Sequence, residues 1–162
     1  MAAALVAFDV GQTLAELDLD YLAARLAERG VEIEMRALDA ALDEAWRRYD
    51  QGSSEGKDGG HPWLLFMETL LRGAGLGDEE ARREAQWLFA EQPTKNLWRR
   101  PVDGVIDVAR ALGAAGHTVI VISNSEGRVA ELIAELGWAD CFELVADSGR
   151  LGMAKPAAGI FE

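Results

Sequence analysis

Three apolar runs stand out along the chain because each stops abruptly at polar residues. Ala2 to Phe8 is continuously apolar and ends in Asp9 and Gly11. Thr118 to Ile122 is a β-branched run that ends at Ser123-Asn124-Ser125, and Leu144-Val145-Ala146 is a shorter run that ends at Asp147. Unbroken apolar runs of this kind predict strands buried on both faces, as in a parallel sheet. Each of the three therefore delivers polar residues at a carboxyl end.

Between these runs the period changes from strand to helix. Val105, Val108, Ala109 and Leu112 form one apolar stripe, and Val129, Leu132, Ile133 and Leu136 form another, each at the spacing of one helix face. Gly116 and Gly137 supply helix stops. Strand, helix, strand, helix, strand from about residue 104 is the pattern of right-handed crossovers. The fold class is α/β, with a Rossmann-like parallel sheet as its core.

The interval from Asp9 to Asp103 reads differently. It holds helical stripes, Leu19/Leu22/Ala23/Leu26 and Leu38/Ala41/Leu42/Ala45/Trp46/Tyr49, and no convincing strand. Two more helices are predicted near Pro62 to Leu71 and Asp78 to Ala90, with Pro62 in a first turn and Asp78 as a cap. The expected division is core over residues 1–14, an inserted helical cap over 15–100, and the remaining core over 101–162. Gln51 to Gly60, with four glycines and two serines, is the segment expected to be most flexible, as an inert connector or a mobile loop.

Composition narrows the partners. Against 16 Lys and Arg stand 28 Asp and Glu, a formal charge of -12, so the global field repels nucleic acid. A small anion remains acceptable, because local amides, one lysine and a metal outweigh that field over a few ångströms. The single cysteine, Cys141, excludes an intrachain disulfide and fits a reducing cytoplasm. No apolar run is long enough to span a membrane, and the N-terminal run lacks a basic leader.

In an open α/β sheet, ligands collect at the carboxyl ends of the strands, where Asp9, Ser123 and the residues after Asp147 would converge. Phosphoryl transfer needs an in-line nucleophile, donors for the phosphoryl oxygens and cations to balance charge. Asp9, Ser123, Lys155 and a bound magnesium ion would supply those parts.

Phe8-Asp9-Val10-Gly11-Gln12-Thr13-Leu14 resembles the first motif of the haloacid dehalogenase superfamily, an aspartate at a strand end with threonine four residues on. Val119 to Ser125 resembles its second motif, a hydrophobic strand ending in Ser or Thr. Gly152-Met153-Ala154-Lys155-Pro156 with Ile160-Phe161 resembles its third. The resemblance spans nearly the whole chain, and the helical insertion corresponds to the cap of many members. It implies Asp9 as nucleophile, Ser123 as donor to the transferring group and Lys155 as the neutralising cation. Thr13 would orient the loop and, with Asn124, serve substrate binding; magnesium would be held by Asp9 and the carbonyl of Gly11. The implied function is a phosphatase acting on small phosphorylated metabolites through an aspartyl-phosphate.

Two departures change that expectation. Phosphatases of the superfamily usually carry a second aspartate, the general acid and base, where this chain has Gly11. Haloacid dehalogenases and phosphonatases lack that aspartate too, so Gly11 fits either altered chemistry or an inactive, ligand-binding homologue. The chain also ends at Glu162, before the acidic fourth motif, so a truncated product or one completed by a neighbour is expected, with magnesium weakly held. An exposed apolar edge at Ala2 to Phe8 would then favour a homodimer.

Other residues have plainer readings. Asp147-Ser148-Gly149 is an ordinary turn sequence. His61 and His117 show no metal-ligand spacing. The five tryptophans are read as packing, Trp63 having a substrate-facing alternative, and the paired arginines as solvated faces.

Overall fold

The computed structural model describes residues 2–55 and 61–162. The chain forms two compact units, one of residues 1–18 and 93–162 and the other of residues 19–92.

The first unit is built on a parallel sheet of β1 (Leu5–Phe8), β4 (Thr118–Ser123) and β5 (Leu144–Asp147), in the order β1-β4-β5. In register, Phe8 lies opposite Val121, and Ser123 lies opposite Asp147. β1 is shorter than its apolar run, because Thr118 opens β4 opposite Leu5 and gives Ala2 and Ala3 no partner strand. The central strand β4 is buried along almost its whole length, which is why its sequence shows no polar alternation.

Helices α5 (Val105–Ala114) and α6 (Val129–Glu135) supply the crossovers. Ile106 and Ala109 from α5, Val129, Leu132 and Ile133 from α6, and Val119 and Val121 from β4 share one core with Val10, Leu14 and Trp138. A smaller cluster of Ile120, Ile122 and Ile160 occupies the other sheet face. The two predicted helix stops are realised at Gly116, φ 84°, and Gly137, φ 74°. The left-handed region that closes a helix this way is open to glycine without steric cost.

Two strands lie in the interval where the hydrophobic pattern showed none. β2 (Ala15–Leu17) pairs antiparallel with β3 (Trp98–Pro101) inside the first unit. Strands of three and four residues are too short to display a period of two, and long-range pairing rather than local pattern creates them. The helical unit accordingly begins at Leu19 and ends at Gln92, instead of at the 15–100 limits expected from sequence.

The second unit holds α1 (Leu19–Ala27), α2 (Met35–Glu55), α3 (Pro62–Gly73) and α4 (Asp78–Glu91). Both predicted stripes are the inward faces, with Leu22, Leu26, Leu38 and Ala45 fully buried. Close approach of α2 and α3 needs small residues: a Cβ on Gly73 would lie 2.5 Å from Ala41 Cβ, and one on Gly52 would lie 2.7 Å from Leu65 Cδ1. Pro62 opens α3 as expected, whereas the cap of α4 is Gly77 and Asp78 is its first helical residue. Gln51 to Glu55 continue α2 as helix, because packing on α3 overrides the weak helix propensity of Gly and Ser; the rest of the segment expected to be flexible, residues 56–60, lies outside the described residues.

The paired arginines of this unit, Arg47-Arg48 and Arg82-Arg83, are exposed as expected, whereas two that stand singly in the sequence are more deeply engaged. Arg25 is 5% exposed, and Arg25 and Arg29 both stack on Trp87, at 4.7 Å and 4.8 Å. Glu84, 1% exposed, is paired with Arg29 and Arg83. No helix among the described residues is long and apolar enough to cross a membrane.

Candidate active site

The turn after β1 is fixed by its own backbone. The Val10 carbonyl accepts from the N–H groups of Thr13, Leu14 and Ala15, at 3.2, 2.9 and 3.0 Å. Val10 and Leu14 are buried in the core and pin both ends of the turn, and Gln12 adopts φ 59° to complete it. Only a rigid surround keeps a non-glycine residue in the left-handed region. The turn leaves Asp9, Gly11 and Gln12 exposed and Thr13 half-buried.

Asp9 Oδ1 accepts from the Val10 N–H at 2.8 Å and from Lys155 Nζ at 2.8 Å. Among the described residues no hydrogen bond or ion pair is made to Oδ2, so the lone pairs of that carboxylate oxygen stay available. Lys155 Nζ also donates to the Ile122 carbonyl at 2.9 Å. The lysine thus bridges the ends of β1 and β4, and the two most widely separated candidates in sequence become direct partners.

Ser123 closes β4 and is 4% exposed. Because Phe8 pairs with Val121 in parallel register, Asp9 and Ser123 leave neighbouring strands at the same edge of the sheet. Asn124 follows, and its amide is used differently from the expectation: Oδ1 accepts from the Lys155 N–H at 2.7 Å, and Nδ2 donates to the Lys155 carbonyl at 3.0 Å. Asn124 therefore contacts the catalytic candidate's main chain.

Asp147, read from sequence as a turn residue, is 2% exposed and central to the site's framework. Its Oδ1 accepts from Ser125 Oγ at 2.6 Å, Gly127 N at 3.1 Å and Gly149 N at 3.0 Å, and its Oδ2 accepts from Val129 N at 2.9 Å. The Ser148 hydroxyl bridges the N–H and carbonyl of Ser125. Gly149 is required here, since a Cβ would lie 2.4 Å from Gly127 N. An aspartate at a strand end beside Ser and Gly carries no sequence sign of burial, which is why the pattern missed it.

Asp9 and Gly11 are both exposed residues of one turn, which supplies a carboxylate and a main-chain carbonyl, oxygen chemistry suited to a hard cation such as magnesium. Among the described residues, no three acidic, His or Cys side chains gather to hold a metal. The donor set therefore fits an ion that keeps most of its water, and fits a tightly caged one poorly. Gly11 itself is not demanded by the backbone: its φ is not in the left-handed region, and a Cβ there would meet only Trp98 Cδ1, at 3.8 Å.

The chain is 26% identical over 97% of its length to haloacid dehalogenase-like hydrolase domain-containing protein 3 of Bos taurus, and it spans 66% of that relative. In fold it is similar to the crystal structure of the HAD-hydrolase YfnB from Bacillus subtilis bound to magnesium, with TM-score 0.65 and 18% identity, covering 99% of this chain and 70% of that one. It is also similar to a crystallised dehalogenase, with TM-score 0.56 and 18% identity, covering 98% of this chain and 68% of that one. The chain spans about two thirds of the length of the curated relatives it matches. The family model for the haloacid dehalogenase-like hydrolases matches residues 3–162, and it is to this family that the chain belongs.

Proposed function

We propose that the site hydrolyses phosphate esters of small metabolites, with Asp9 as nucleophile. The observation that carries this reading is the Lys155 ammonium held 2.8 Å from Asp9 Oδ1, which leaves Oδ2 to attack. Oδ2 forms a bond to phosphorus as the ester oxygen departs with the bonding pair, giving an alcohol once protonated and an aspartyl-phosphate. Water then attacks phosphorus, releasing inorganic phosphate and restoring the carboxylate. Lys155 offsets the charge of the phosphoryl oxygens, and Ser123 donates a hydrogen bond to them. When bound, magnesium would be held by Asp9 and the Gly11 carbonyl and would neutralise phosphoryl charge.

Gly11 favours a second reading. With no carboxylate there to protonate a leaving alkoxide, a leaving group that needs no proton fits the site, as in carbon–halogen cleavage. In that case Asp9 Oδ2 displaces halide from carbon, and water hydrolyses the resulting ester; a phosphonate substrate is a separate possibility, in which the departing carbon takes a proton from water. A non-catalytic role in binding a metabolite or protein is the remaining alternative.

The ligand is a small anion on either catalytic reading, and the charge of -12 disfavours nucleic acid. The lone cysteine supports a cytoplasmic setting, and β1, at one end of the sheet order, supports pairing of two copies along its edge.

The deciding experiment is hydrolysis of a generic aryl phosphate with magnesium or with chelator, using Asp9→Asn as control. Turnover that needs both magnesium and Asp9 supports the phosphatase. Chelator-insensitive release of halide from a 2-haloacid that needs Asp9 supports the dehalogenase. An Asp9→Asn variant indistinguishable from the parent in both assays sinks both and leaves the binding role.

A further inference from the structure

Two polar groups at the carboxyl ends of β4 and β5 are not used by that chemistry: the Asn124 amide and the Asp147 carboxylate. Asn124 grips one residue from both sides, accepting from the Lys155 N–H at 2.7 Å and donating to the Lys155 carbonyl at 3.0 Å. The N–H and the carbonyl flank the Cα from which the lysine side chain departs. Holding both fixes the direction of the Cα–Cβ bond, and so narrows the region that the ammonium on its flexible stem can reach. It lands between Asp9 Oδ1, at 2.8 Å, and the Ile122 carbonyl, at 2.9 Å.

Asn124 is held in turn. The next residue, Ser125, donates its hydroxyl to Asp147 at 2.6 Å, and its main-chain N–H donates to Ser148 Oγ at 2.9 Å. Asp147 also takes the N–H groups of Gly127, Val129 and Gly149, so one buried carboxylate fastens the segment after β4 to the short helical turn after β5. A buried ionised acceptor saturated in this way holds loops more firmly than neutral hydrogen bonds do.

We propose that Asn124 is a positioning residue for Lys155, with Asp147 the buried anchor of that clamp, in place of the substrate-binding role expected for Asn124 from sequence. The inference rests on the reading of Lys155 as the cation that serves Asp9.

Its test has an arm that needs no turnover. The Lys155 amine is labelled competitively with limiting acetic anhydride, and its rate is read by mass spectrometry against Lys95 as internal reference. Loss of the clamp in Asn124→Ala removes both hydrogen bonds and raises relative labelling of Lys155 by at least about fivefold, the population change made by one of them at ordinary strength. Asn124→Asp keeps an acceptor for the Lys155 N–H and gives an intermediate rate. Unchanged labelling in both variants overturns the proposal.

A kinetic cycle with Lys155→Met supplies the second arm. Asn124→Ala lowers kcat with KM within about twofold, and costs nothing further once Lys155 is gone. A rise in KM alone, or a full additive loss in the double variant, assigns Asn124 to the substrate and overturns the clamp. If the parent chain turns over neither phosphate nor haloacid, the hydrolase reading fails, and the labelling arm still decides the clamp.

Discussion

The Lys155 ammonium donates to Asp9 Oδ1 at 2.8 Å and to the Ile122 carbonyl at 2.9 Å. Side-chain exposures of 24% for Lys155 and 46% for Asp9 leave the pair accessible to solvent, where an ion pair adds at most about 1 kcal/mol to stability. Lys155→Met should therefore barely move the thermal midpoint. In the proposed hydrolase it should lower kcat by about 10²- to 10³-fold, the usual effect of removing one preorganised donor. Steady-state kinetics beside a melting curve checks both; a large drop in melting temperature with unchanged kcat would make Lys155 a structural residue.

Gly11 has room for a side chain. Gly11→Asp should fold normally by circular dichroism and raise aryl phosphate turnover by about 10²- to 10⁴-fold, the range that a general acid-base group contributes. An unchanged rate in a folded variant would point away from ester leaving groups.

Asp147 accepts four hydrogen bonds at 2% exposure. Asp147→Ala strands these donors and should destabilise the fold by about 3 kcal/mol, as expected when a buried charged acceptor is lost. Urea unfolding measures this directly. A change under about 0.5 kcal/mol, the range of an ordinary surface substitution, would contradict the buried anchor.

Glu84 carries a pH signature. Burial alone pushes its carboxyl up, but the hydrogen bonds and charges of Arg29 and Arg83 outweigh it, and the net position is below the ordinary 4.5. The unfolded chain then binds the proton more readily than the folded one. The stability contributed is fully present above the ordinary value and is lost as pH falls through the folded value. Unfolding free energy followed downward from neutral pH should decline on this acid limb, and Glu84→Gln should flatten the decline. A Gln variant with the parent's slope would remove Glu84 from the linkage.

β1 ends the order β1-β4-β5, and Leu5 on it is 65% exposed. An apolar edge strand recruits partners, and charge blunts it. Sedimentation velocity should show concentration-dependent association of the chain that Leu5→Lys suppresses. A monodisperse monomer across the concentration range would rule out pairing along this edge.

The sequence alone determined the parallel core and the helices with clear stripes. A fully buried strand such as Thr118 to Ser123 must be apolar throughout, and a helix such as α5 must repeat its apolar residues at helical spacing; both demands are local and therefore written in the chain. It also brought forward Asp9 and Ser123, because strand ends in such a sheet share one edge, whereas Lys155, away from any strand end, came forward only through its resemblance to the superfamily's third motif. Tertiary structure decided the rest. Ala15–Leu17 and Trp98–Pro101 become strands only by finding each other, and Gln51 to Glu55 stay helical through packing against α3. Asp147 looks like any turn aspartate until the two loops close over it, and the Asn124 amide could have faced a ligand until Lys155 came within reach. These outcomes depend on contacts between residues far apart in the chain, and hydrogen-bond partners of that kind are set by the folded geometry rather than by any local pattern of residue types.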